Sequence, residues 1–101
     1  MLTTYMKQAF EIAWNHGFWD SENKAEKIAL MHSELSEALE AVRKPSMDDK
    51  CTEFSSEVVE LADCMIRIMD YAERFSLPLE QAIVAKMAYN ATRPHKHGKA
   101  F

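Results

Sequence analysis

From Phe54 to Ala72 the apolar residues recur at helical spacing. At about 100° per residue, Phe54, Val58, Leu61, Ala62, Met65, Ile68, Met69 and Ala72 share one face, and Val59, Ile66 and Tyr71 widen it to roughly 240° of the circumference. The remaining strip carries Ser56, Glu60, Asp63, Arg67, Asp70 and Arg74. Such a helix requires burial on nearly every side, and whatever faces the strip must receive charge. The pattern predicts a helix from about Cys51 to Phe75, with its apolar arc wider than three neighbours in one small chain can cover. A second copy of the chain is therefore expected against part of it, making at least a dimer.

The rest of the chain reads the same way. Tyr5, Ala9, Ile12 and Ala13 predict a first helix from near Thr4 to His16, with Gly17 where a left-handed C-terminal residue belongs. After the aromatic connector Phe18-Trp19-Asp20-Ser21-Glu22, Asn23 is placed to cap a second helix and Glu26 to reach back toward it; Pro45 ends that helix. On it, Ile28, Met31, Leu35, Ala38, Leu39 and Val42 set the expected core direction, while Ser33, Ser36, Glu40 and Arg43 point to solvent. A polar link over 46–50 leads to the long third helix, and Pro78 opens a fourth over Leu79 to Ala91. Residues 94–101 have no apolar period and are expected to order on a ligand or a neighbouring subunit. Four helices on short links predict an all-α bundle in a single domain spanning 1–101.

Composition agrees, since two glycines and three prolines in 101 residues are too few for a turn-rich β fold. No run of about 18 apolar residues spans a membrane, and the first residues lack a signal-peptide pattern, so the expected location is cytoplasmic with no membrane partner. Cys51 and Cys64 are too few for a disulfide framework and lack, with His95 and His97, the spacing of a zinc site. From Lys86 onward there are four basic residues and no acidic one, so of a total charge of −4 the rest of the chain carries −8. An acidic body with a basic tail argues against nucleic-acid binding and suits a small anion held beside metal ions.

Two acidic ladders stand on consecutive helices, Glu34-x-x-Glu37 and Glu60-x-x-Asp63. Antiparallel packing lets them face each other. Carboxylates about 6 Å apart repel by roughly 0.7 kcal/mol in water but by about 3 kcal/mol at an effective dielectric near 20. A solvated face tolerates the first figure; four converging groups require protons or a hard divalent cation such as Mg²⁺, with Mn²⁺ as a substitute. The competing reading is two ordinary solvated faces, which is what either ladder alone would suggest.

At these residues the sequence resembles the MazG-like, all-α nucleoside triphosphate pyrophosphohydrolase family, in which an E-x-x-E helix and an E-x-x-D helix bind magnesium. The match is Glu34-Leu35-Ser36-Glu37 and Glu60-Leu61-Ala62-Asp63, followed by Lys86-Met87-Ala88-Tyr89-Asn90-Ala91-Thr92-Arg93, similar to the family's K-x-x-x-N-x-x-R segment. The resemblance implies a four-helix MazG-like bundle assembled as a homodimer or homotetramer, and cleavage of a (deoxy)nucleoside triphosphate to the monophosphate and pyrophosphate. Glu34, Glu37, Glu60 and Asp63 become the metal ligands and Glu37 the candidate general base. Lys86, Asn90 and Arg93 share a face at i, i+4 and i+7 and, with Lys96, become phosphate or sugar contacts; the plainer reading is a basic helix end complementing its own dipole. Trp14, Phe18 and Trp19 are candidates to stack on the base, core packing being the alternative. Two rival functions stay open: a phosphoribosyl-ATP pyrophosphohydrolase-like enzyme, and a non-catalytic helical oligomerisation module.

Overall fold

The computed structural model describes residues 1–94; His95 to Phe101, with the expected contact Lys96, lie outside the described residues. Those described form α1 (Leu2–Asn15), a single 3₁₀ turn (Phe18–Asp20), α2 (Lys24–Arg43), α3 (Ser56–Arg74) and α4 (Leu79–Ala91), with no strand.

Side-chain caps fix two of the starts. The Asn23 side chain accepts from the Glu26 N–H at 3.1 Å, and the Ser55 hydroxyl accepts from the Val58 N–H at 3.3 Å. α3 thus begins five residues later than its apolar pattern suggests. The reason is the acid at position 48: one oxygen of Asp48 accepts from the Lys50 and Cys51 N–H groups at 3.0 and 2.7 Å, holding 48–51 as a turn. At the far end of α3, Ser76 takes a left-handed φ of 54°, Leu77 N–H reaches Ala72 O at 2.8 Å, and Ser76 N–H reaches Glu73 O at 3.2 Å. That double closure is a Schellman motif.

α2 and α3 run antiparallel. Glu34 on α2 meets Arg67 late in α3 at 2.8 Å, whereas Ser46, past the end of α2, meets Ser56, the first residue of α3, at 2.8 Å, so the numbers rise along one arm of the pair as they fall along the other; the Cys64 thiol also donates to the Met31 carbonyl at 3.6 Å. α1 packs against α3, with Met6 and Ala9 buried. The connector between α1 and α2 is pinned by Trp19, which is buried edge-on between Phe18 and Phe75 (centroids at 5.5 and 5.6 Å) and donates its indole N–H to Asp70 at 2.8 Å.

Two features depart from the pattern-based expectation. On α2 the buried residues are Lys27, Glu34 and Ala38, while Leu35, Leu39 and Val42 are half-exposed or more. The strongest apolar stripe of α2 therefore does not face the core of its own chain. It continues across the helix pair into Val58, Leu61 and Met65 of α3 and Phe54 just before it, all exposed, because the corresponding flanks of two antiparallel helices lie on one side of the pair. Second, α1, α2 and α3 form the packed group, and none of the residues of α4 is buried. Its start is tied to α1 by Glu80, whose carboxylate accepts from the Thr3 N–H at 3.3 Å, but Val84, Met87 and Tyr89 stay open.

Candidate functional site

The charged strip of α3 is turned inward, and in its C-terminal half Arg67, Asp70 and Arg74 each meet a partner suited to them. Arg74 forms an ion pair with Glu22 at the connector, Asp70 holds the Trp19 indole, and Arg67 donates from Nε to Glu34. The buried Lys27 ammonium donates to the Phe18 carbonyl and sits 3.9 Å over the Phe18 ring and 4.9 Å over that of Trp19, so its charge is stabilised by a dipole and two π faces.

Next along the strip is the acid cluster. Glu34, Glu37 and Glu60 each offer a carboxylate oxygen within 4.8 Å of the other two. Glu34 is 7% exposed and Glu60 half-buried, whereas Glu37 opens to solvent. Burial, the hydrogen-bonding approach of Glu37, and the charges of Glu37, Asp63 and Glu34 push the Glu60 carboxyl up from 4.5 to about 7. Its Oε2 is buried without a hydrogen-bond partner. Asp63 stands one turn on, outside the tight trio; burial and the Glu34 charge raise its carboxyl, opposed by Arg67. The two ladders thus meet as three acids with the fourth alongside.

Hollows lie on both sides of the cluster. The larger, about 420 Å³, is walled by Glu34, Asp63, Arg67 and Asp70 on one side and by Ile12, His16 and Phe18 on the other. The smaller, about 260 Å³, is lined by Glu37 and Glu60 with Glu40, Lys44, Ser46 and Ser56. A carboxylate group set between two open hollows has room for a cation on one side and for its partner ligand on the other.

The remaining residues singled out in the sequence fall elsewhere. Trp19 is a core residue, its ring covered on both sides and its N–H already used, so it offers no face to a base. Trp14 is exposed and lies against Phe10, with centroids 5.7 Å apart, and lines neither hollow. Lys86 on α4 and Arg93 just past its end both approach the Tyr89 ring, at 4.8 and 5.7 Å, and Asn90 buries its Oδ1 without a hydrogen-bond partner. None of these three lines either hollow beside the acids. Phe18, by contrast, does line the larger one.

Two residues of the site were not assigned a role from the sequence, Arg67 and Asp70. A signal existed for both, since Asp63, Arg67 and Asp70 follow at i, i+4 and i+7 along the same strip as Glu60. His16, whose helical context suggests packing or hydrogen bonding in preference to acid or base catalysis, contacts the Ile12 carbonyl through Nδ1 at 2.8 Å and lines the larger hollow. Comparison with protein-family models, with curated proteins and with solved structures finds no match, so the functional reading rests on this geometry and on the motif resemblance.

Proposed function

We propose that the chain is a Mg²⁺-dependent nucleotide pyrophosphohydrolase that converts a (deoxy)nucleoside triphosphate to the monophosphate and pyrophosphate. The observation that carries the reading is the convergence of Glu34, Glu37 and Glu60 from two helices to within 4.8 Å. The donors fit a hard cation: all are carboxylate oxygens, one is buried without a partner, and no thiol or imidazole belongs to the cluster. Glu34, Glu37 and Glu60 would hold the ion, with Asp63 beside them, and a bound divalent ion supplies charge neutralisation for the triphosphate and for the leaving pyrophosphate.

The chain's own groups supply the rest. Glu37, the most open of the three acids, is the one placed to accept the proton of an attacking water. The larger hollow, with Phe18, Ile12 and Ile66 on its apolar walls, has the size of a small-molecule site and suits the nucleoside. Lys86, Asn90 and Arg93 act in this reading only if α4 closes toward the acids, or reaches those of a second chain. The exposed apolar face of α2 and α3 supports such a second copy, as a homodimer or homotetramer.

Pyrophosphate release from a panel of nucleoside triphosphates, with and without chelator, tests the proposal. Turnover is expected with Mg²⁺ or Mn²⁺, and Glu34→Gln, Glu37→Gln, Glu60→Gln and Asp63→Asn should each lower it by at least about 100-fold, the scale of losing a charge-stabilising group at a reacting centre. Absence of turnover on every nucleotide, phosphoribosyl-ATP included, together with no effect of Mg²⁺ on the melting temperature, would leave the non-catalytic helical module as the better description.

A further inference from the structure

Arg67 is the cation nearest the acids, and it is bonded in an unusual way for a structural pair. Its contact with Glu34 uses Nε alone, at 2.8 Å, while among the described hydrogen bonds its two terminal amino groups make none. A guanidinium committed to a buried carboxylate commonly presents two parallel donors. Here the forked end is left over, on a side chain that is 30% exposed, lines the larger hollow beside Asp63, and lies 5.1 Å from the Phe18 ring. The charge count is also incomplete. Among the described ion pairs, Arg67 with Glu34 is the one that brings a cation to any of Glu34, Glu37, Glu60 and Asp63.

We propose that Arg67 is a two-position cation: in the metal-free protein it neutralises Glu34, and once a divalent ion occupies the carboxylates it turns its free fork to a phosphate oxygen of the substrate. This rests on the metal-centre reading above and assigns to α3, rather than to α4, the first phosphate contact. Were Glu34, Glu37 and Glu60 to hold a divalent ion, Glu34 would no longer need the guanidinium as its counter-charge, and Arg67 would be favoured on the side of the hollow that it already lines. The same side chain then faces an anion that it can grip bidentately without further movement of the helix. Arg67 thereby opposes metal alone and favours metal with phosphate, so loading of the two is coupled.

Two variants read this out without turnover. Arg67→Gln keeps a hydrogen-bond donor for Glu34 and removes the charge; Arg67→Lys keeps the charge and removes the fork. Titration calorimetry with MgCl₂ alone should give equal or tighter binding for Arg67→Gln than for the parent protein. Inorganic pyrophosphate titrated in saturating Mg²⁺ should bind about 10- to 100-fold more weakly to Arg67→Gln, the worth of a charge-assisted pair, and intermediately to Arg67→Lys. Circular dichroism checks that each variant stays folded. Weaker Mg²⁺ binding by Arg67→Gln, or pyrophosphate affinity within twofold of the parent in both variants, would make Arg67 a fixed support for Glu34 and overturn the proposal. A parent protein that binds Mg²⁺ and pyrophosphate while the variants match it refutes the role of Arg67 alone; a parent that binds no Mg²⁺ refutes the metal centre and this inference with it.

Discussion

Glu60 concentrates the electrostatic tension of the molecule. Its carboxyl titrates near 7 in the folded chain against an ordinary value of 4.5, because burial and three neighbouring acids disfavour its charge. The folded state therefore holds this proton more tightly than the unfolded state does. The linked stability is complete below about pH 4.5 and is lost as the pH climbs through 7; Asp63, raised by burial and by Glu34, adds in the same direction. Thermal melts of the metal-free protein from pH 5 to pH 8 should show a falling midpoint, and Glu60→Gln should flatten the decline. At pH 8 that variant should be more stable than the parent by roughly 1 kcal/mol, discounted for solvent screening at a half-buried group. Protons and a metal ion compete for the same oxygens, so the midpoint gained on adding Mg²⁺ should grow across this range in the parent. A parent protein with a flat profile would mean that Glu60 is already ionised and solvated at neutral pH.

Helix ends were legible where one side chain decides them and illegible where a turn competes. Asn23 and Pro45 bracket α2 as their chemistry requires, and α4 begins and ends where its sequence indicates. The start of α3 was hidden because Asp48 captures two N–H groups that an apolar count does not register. The inward face of α2 was hidden for a different reason. A stripe of Leu35, Leu39 and Val42 marks a surface that avoids water, but not which partner covers it, and the chain's own core takes Lys27, Glu34 and Ala38 instead. The acid ladders survived that inversion because their i, i+3 spacing keeps both members near one face whichever way the helix is rolled. At the end of α3, Ser76 occupies the left-handed position of the Schellman motif, where a Cβ costs roughly 1 kcal/mol. Ser76→Gly should therefore raise stability by a few tenths to about 1 kcal/mol, less the added freedom of the unfolded chain. Chemical denaturation would measure it; a loss of stability would show that the Ser76 side chain contributes something the backbone geometry does not reveal.

For the protein as a whole, the core is thin for its length. Among the described residues, the buried apolar ones are Met6, Ala9, Trp19, Ala38, Cys64 and Ala72, half of them alanine, while Leu35, Leu39, Val42, Phe54, Val58, Leu61 and Met65 lie open on one side of the α2/α3 pair. A monomer rarely exposes so continuous an apolar surface, and the width of the α3 arc already implied that one chain could not cover it. None of these seven residues lines the larger hollow, so a second copy seated on them covers a surface separate from it. Leu39→Asp and Met65→Asp place a charge on that face at residues that line neither hollow beside the acids. In an isolated chain these exposed positions should tolerate the change to within about 0.5 kcal/mol. In a dimer each would bury an unpaired carboxylate, at a cost of several kcal/mol. Light scattering at micromolar concentration should accordingly give a dimer or tetramer for the parent and a smaller species for both variants, with a melting midpoint that becomes independent of protein concentration. If the parent is already a monomer at that concentration, its apolar face is covered by something other than a second copy, and the number of helices that the site can recruit is limited to those of one chain.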